Sequence, residues 1–178
     1  MYFCIRQNYK KQRSMKKILL MSDTHGLVDD FMLKYVKQAD EVWHAGDIGT
    51  VAVTDEIKKY KPVRAVYGNI DGAEIRKEFP EVQRFIVEDV SVLLIHIGGY
   101  PNRYAQIVRK ILVLNPPKLF ISGHSHILKI MYDKKYNLLH INPGAAGKKG
   151  FHKQRTMVRF VLDKGDIRDL EVIELKTR

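Results

Sequence analysis

A single cysteine, Cys4, stands among 178 residues, so no disulfide can close within the chain and no cysteine-rich zinc site can form. Nothing in the cysteine count demands an oxidising compartment, and a reducing cytoplasm is the default expectation. Long apolar runs are missing too. None approaches the roughly 20 residues a membrane span needs, and Ile18 to Met21 is too short for a signal-peptide core. A soluble, cytoplasmic protein without a membrane partner is expected. There is no low-complexity tract and no linker that would split the chain. Finally, residues 1–17 contain no acid, while Arg6, Lys10, Lys11, Arg13, Lys16 and Lys17 supply six positive charges there.

That last absence qualifies the formal net charge of +11. Such a charge points toward nucleic acid, but much of it is local to one segment without periodicity. Met15 followed by Lys16, Lys17 and a strand looks like a natural start. Residues 1–14 are expected to be a flexible basic extension, 15–178 a single domain, and nucleic acid not a partner. At 45% hydrophobic, the chain can bury a proper core.

The order of elements follows from apolar patterning. Ile18 to Ser22 reads as a strand buried on both faces, ending in Asp23-Thr24-His25-Gly26. Asp29 then sits where an N-cap would, before a helix reaching Ala39. The unit repeats: strand at Glu41 to Ala45, loop Gly46-Asp47-Ile48-Gly49, helix from Val51 to Tyr60. A third strand, Val63 to Tyr67, leads into Gly68-Asn69-Ile70-Asp71-Gly72. Three strands, each followed by a loop with a carboxylate or amide, predict a parallel sheet with ligands gathered at the strands' carboxyl ends.

From Val82 the pattern changes to a hairpin that delivers His96. A helix over Tyr104 to Leu114 follows, with Ile107, Ile111 and Leu114 on one face. The strand Lys118 to Ser122 leads into Gly123-His124-Ser125-His126, and alternating strands continue to Leu175. An antiparallel second half after a βαβα first half predicts two sheets face to face with helices outside.

Seven residues then stand at predicted strand ends: Asp23, His25, Asp47, Asn69, His96, His124 and His126. Carboxylate, amide and imidazole together suit hard and borderline divalent ions, and seven ligands exceed what one ion uses. Two ions are the economical reading, with Asp47, between Gly46 and Gly49, free to bridge them. No serine or cysteine arrangement suited to nucleophilic catalysis is present. His44, His140 and His152 are expected to be, in turn, a packing or supporting residue, a core or sheet-face residue, and a solvated one. Lys148, Lys149, Lys153 and Arg155 are expected to form a solvated basic loop. Asp71 is open between orienting a ligand and capping its turn.

The blocks DTHG, GDIG, GNIDG, His96 and GHSH, in that order over residues 18–147, resemble the calcineurin-like metallophosphoesterases, in their small YfcE-like phosphodiesterase branch. The resemblance implies an α/β fold, a four-layer αββα sandwich of two mixed β-sheets flanked by helices. It implies that Asp23, His25 and His126 hold one ion and Asn69, His96 and His124 a second, with Asp47 bridging. Mn²⁺ is the first expectation, with Fe, Zn²⁺, Ni²⁺ or Mg²⁺ also used in the family. The activity implied is hydrolysis of phosphodiesters by a metal-bridging hydroxide, with Asn69 also meeting the substrate; Ile70, which has no proton to donate, narrows the expectation to diesters with good leaving groups. Small relatives often form homodimers or homotetramers. Two other readings remain: a non-catalytic scaffold of the same fold, as in a retromer subunit, and a nucleotide phosphatase or nuclease.

Three positions depart from the family pattern. Ile70 stands where many members have a leaving-group-protonating histidine, Ile97 separates His96 from its glycine, and Ala145-Ala146 replace a usual serine after Asn142-Pro143-Gly144.

Overall fold

The computed structural model describes residues 15–175; residues 1–14, expected to be a flexible extension, lie outside the described residues. The chain runs β1 (Lys16–Met21), α1 (Asp30–Val36), β2 (Glu41–His44), α2 (Val51–Lys58), β3 (Val63–Ala65), α3 (Ala73–Glu78), β4 (Val82–Val87) and β5 (Val90–Ile95). It continues through a small hairpin, β6 (Gly99–Tyr100) and β7 (Arg103–Tyr104), then α4 (Gln106–Leu114) and β8 (Leu119–Ile121). The last strands are β9 (Leu128–Asp133), β10 (Leu138–Pro143), β11 (Arg155–Asp163) and β12 (Asp166–Leu175).

Two five-stranded sheets form, in the orders β12-β11-β1-β2-β3 and β4-β5-β8-β10-β9. The side-chain period of two explains how they stack. In β1, Ile18 and Leu20 point into a core shared with Trp43, Leu94, Ile121 and Phe160, between the sheets. Leu19 and Met21 point the other way, against Met32 and Val36 of α1, Val53 and Ile57 of α2, and Ile75 of α3. A third core joins Leu93 and Phe120 of the second sheet to Val108 and Leu112 of α4. Three apolar layers between four structural ones make the αββα sandwich.

Some local expectations shift. Asp29 does cap α1, accepting from the Met32 amide at 3.0 Å, but the helix ends at Val36. The second half is mixed: β5 pairs parallel with β8, and β8 with β10. Helix α3 and the β6–β7 hairpin come in addition to the elements expected. In α4 the buried positions are Val108 and Leu112, whereas Ile107 and Leu114 are exposed. Ile111 packs at the edge of this core, and Tyr104 of the hairpin enters it beside Phe120. Among the described residues no helix is long and apolar enough to cross a membrane.

Candidate metal centre

The loops that follow β1, β2, β3, β5 and β8 meet at one end of the sandwich, where the sheets' carboxyl ends converge. They are laced together by backbone. Asp23 N donates to Gly46 O at 3.0 Å, His25 N to Asp47 O at 3.0 Å and Gly26 N to Ile48 O at 2.8 Å. Ala146 N and Gly147 N reach back to Ser22 O and Asp23 O at 2.9 and 3.0 Å, and Gly123 N to His96 O at 3.0 Å. The β1–β2 ladder thus continues past the sheet into the loops.

All seven sequence-predicted residues come together, in two groups. Asp23, His25 and His126 present ligand atoms within 4.8 Å of one another, and so do Asp47, His96 and His124. Asn69 joins the second group, its Oδ1 lying 3.1 Å from His96 Nε2. Asp47 stands between: one carboxylate oxygen is 3.2 Å from His96 Nε2 and the other 3.9 Å from His25 Nε2.

Backbone conformation is strained at these positions. Asp23, His25, Asp47, His124 and His126 have φ of 54°, 49°, 54°, 70° and 57°, the left-handed region that L-residues avoid at a cost of about 1 kcal/mol or more each. Asp and His tolerate it better than β-branched residues do. Five such residues at one site mean that the fold holds the side chains in a set arrangement. Gly68 shows how tightly: a Cβ there would lie 2.0 Å from Asp47 Oδ1.

Neighbouring hydrogen bonds set which nitrogen of each imidazole is free. His96 Nδ1 is 2.7 Å from the Ala45 carbonyl, which accepts only, so in the neutral ring Nδ1 carries the proton and Nε2 presents its lone pair to the cluster. A second proton, which burial opposes but the neighbouring Asp47 carboxylate favours more strongly, sits on Nε2 and is donated to Asp47. His126 is set through a second imidazole. His152 Nε2 donates to Gly147 O at 3.0 Å, leaving His152 Nδ1 to accept from His126 Nδ1 at 3.3 Å. His126 Nε2 is then bare and faces His25 Nε2 at 3.3 Å. His152, expected to be solvated, is instead the outer half of this relay. No sequence period marks it; only its place beyond the Asn142-Pro143-Gly144 turn could have suggested it.

Other polar residues brace the loops. Buried Asp71 accepts from the amides of Ile48, Gly49 and Gly68 at 3.1, 2.7 and 2.7 Å, so it clamps two ligand-bearing loops. His44 contacts Thr24 Oγ1 at 2.9 Å and accepts from Gly46 N at 3.2 Å, the supporting role expected of it. Burial drops its pKa to about 4 and keeps it neutral. Arg155 leaves the expected basic loop: it is buried, donates to Ala146 O at 2.7 Å and pairs with Asp29 at 2.9 Å.

The charges favour a cation. Burial works against ionising Asp47, yet the hydrogen bond and field of His96 outweigh it and hold its pKa below the usual range. His126 is raised by contact with the Asp23 carboxylate. His25 is lowered, chiefly by burial, despite Asp47 and Asp23. Asp23 Oδ1 is buried with no hydrogen-bond donor, although His126 Nε2 is 3.2 Å away. A buried carboxylate oxygen among inward-facing imidazole nitrogens is a donor set that suits a divalent ion.

A family profile described as the calcineurin-like phosphoesterase superfamily domain matches residues 15–165. A protein of Mycoplasma pneumoniae named "Probable metallophosphoesterase" is 30% identical over 162 residues, 88% of this chain and 96% of that protein. Vacuolar Protein Sorting 29 from Cryptosporidium parvum superposes with a TM-score of 0.69 at 18% identity, covering 92% of this chain and 99% of that one. A structure described as a novel archaeal phosphodiesterase superposes with a TM-score of 0.67 at 22% identity, covering 89% and 99%.

Proposed function

The chain belongs to the calcineurin-like phosphoesterase superfamily, and we propose that it is a metal-dependent phosphodiesterase with a binuclear centre. Asp23, His25 and His126 would hold one ion, and Asn69, His96 and His124 the other. One observation carries the reading: the two oxygens of Asp47 face the two histidine groups, one each. Mn²⁺ is the first candidate, with Fe, Zn²⁺, Ni²⁺ and Mg²⁺ as alternatives that this mixture of imidazole, carboxylate and amide also accommodates. When bound, such a pair supplies Lewis-acid chemistry, lowering the pKa of a shared water and offsetting charge on the phosphoryl oxygens.

The chain's own residues do the rest. Asn69 directs its amide oxygen into the His96 group, which frees its amide protons to orient a substrate oxygen. His96 and His126 are kept from turning by Ala45 O and His152. Ile70 is 48% exposed beside the cluster, and its amide donates to Asp47 Oδ1 at 3.1 Å. An isoleucine side chain has no proton to give a departing alkoxide. The leaving group must therefore be stable as an anion, which favours aryl esters over alkyl phosphomonoesters.

The test is turnover of an aryl phosphodiester after chelation and re-addition of single metals. Activity should return with Mn²⁺ and fall by roughly 10²-fold or more in Asp47→Asn, which keeps the shape and loses the charge. No restoration by any metal, with Asp47→Asn behaving as wild type, would dispose of the proposal. Fast turnover of alkyl phosphomonoesters would remove the diester preference alone.

A further inference from the structure

Two cavities open beside the Asn69, His96 and His124 group, and Ile97 lines both. The smaller, about 200 Å³, is bounded by Asn69, His96, Arg76 and Glu81. The larger, about 370 Å³ and mostly apolar, lies by the β6–β7 hairpin with Ile97, Tyr100, Tyr104, Ile127 and His124 in its wall. A phosphodiester carries two substituents on one phosphorus. Two cavities meeting at Ile97, next to the proposed metal position, match that shape.

The larger cavity has chemistry of its own. Lys129 Nζ stands 3.7 Å from the Tyr100 ring centroid, so a cation and an aromatic face lie together in its wall, both attractive to a flat ring. His140 also lines it and is 1% exposed. Ser122 Oγ donates to Gly99 O at 3.1 Å and therefore accepts from His140 Nε2 at 3.0 Å. Nδ1 is left as an acceptor, buried and without a hydrogen-bond partner. Burial brings the ring's pKa down to about 4, so it stays neutral and Nδ1 does not supply a proton of its own. A buried acceptor lacking a donor is unfavourable unless a ligand brings one.

We propose that this cavity receives an aromatic substituent of the phosphodiester, one bearing an N–H or O–H group that donates to His140 Nδ1. The inference rests on the phosphodiesterase reading and narrows its substrate class. Ile97, an interruption of the family pattern in sequence, becomes the partition between the two substituents.

The test is calorimetric titration of the metal-loaded protein with methylphosphonate, phenylphosphonate and the three aminophenylphosphonates. Phenylphosphonate should bind about tenfold more tightly than methylphosphonate, as expected for burying one ring face. At least one amino isomer should bind more tightly still. Tyr100→Ala and, at the exposed rim, Ile127→Ser should each erode the phenyl preference, and His140→Phe should erase only the amino gain. Equal binding of phenyl and methyl ligands by wild type, or a phenyl preference intact in both rim variants, overturns the assignment. Absence of any amino gain removes the donor to His140. If aryl diesters are still hydrolysed in those cases, the cavity inference alone falls; if no phosphonate binds and no ester is cleaved, both readings fall.

Discussion

Replacing His152 with phenylalanine separates an orienting imidazole from a bystander. The relay holds His126 Nε2 bare by giving its Nδ1–H an acceptor at 3.3 Å, itself fixed through Gly147 O at 3.0 Å. Phenylalanine keeps the ring but offers no acceptor. The lost hydrogen bond is worth about 1 kcal/mol net, and the freed ring can also turn or take the other tautomer. Partners of this kind typically change metal affinity 10–100-fold, so about tenfold is the floor expected. Because His126 belongs to one ligand group only, Mn²⁺ titration of chelator-stripped protein should show one binding step weakened and the other near wild type. His152→Asn should recover most of the loss, since its amide oxygen replaces Nδ1 as acceptor while forfeiting the Gly147 contact. Melting of the stripped proteins checks that all three are folded. If the phenylalanine variant binds both ions as wild type does, the relay has no bearing on the site.

Two further outcomes are expected. Gly68→Ala drives a methyl group to 2.0 Å from Asp47 Oδ1 and 2.3 Å from its amide nitrogen, so it should lower stability by about 1–3 kcal/mol and weaken Mn²⁺ binding; a melt and a titration matching wild type would contradict the packing described. The His140 pKa of about 4 lies below its ordinary 6.5, so the unfolded chain binds a proton the folded protein refuses. Stability from this group is full above pH 6.5, declines as pH falls toward 4, and amounts to about 3 kcal/mol in all. Buried His44 titrates in the same window, so denaturant melts across that range should become shallower in His140→Phe without flattening, and an unchanged slope would refute the burial argument.

What was legible in the sequence depended on range. Runs such as Ile18 to Met21 announce a strand buried on both faces, and the four-layer stack follows once helices must cover one face. The seven candidate ligands were legible because each closes an apolar run, and strand ends of βα units converge by topology. The β6–β7 hairpin was not, since two-residue strands carry no period, and of the α4 face expected to be apolar only Ile111 packs on the core. Asp71 and His152 were opaque for another reason. Their roles lie in partners 23 and 26 residues away, and a lone polar residue in a loop reads the same whether it clamps a neighbour or meets water.

The backbone lacing between the ligand loops bears on how this end of the molecule moves. Amides of Asp23, His25 and Gly26 are bonded as strand amides are, so their protons should exchange with solvent only when β1 and β2 open together. In a native-state exchange experiment these residues would group with the central sheet rather than with the turns beside them. On the phosphodiesterase reading, a substrate would meet ligand loops already held in place by this lacing.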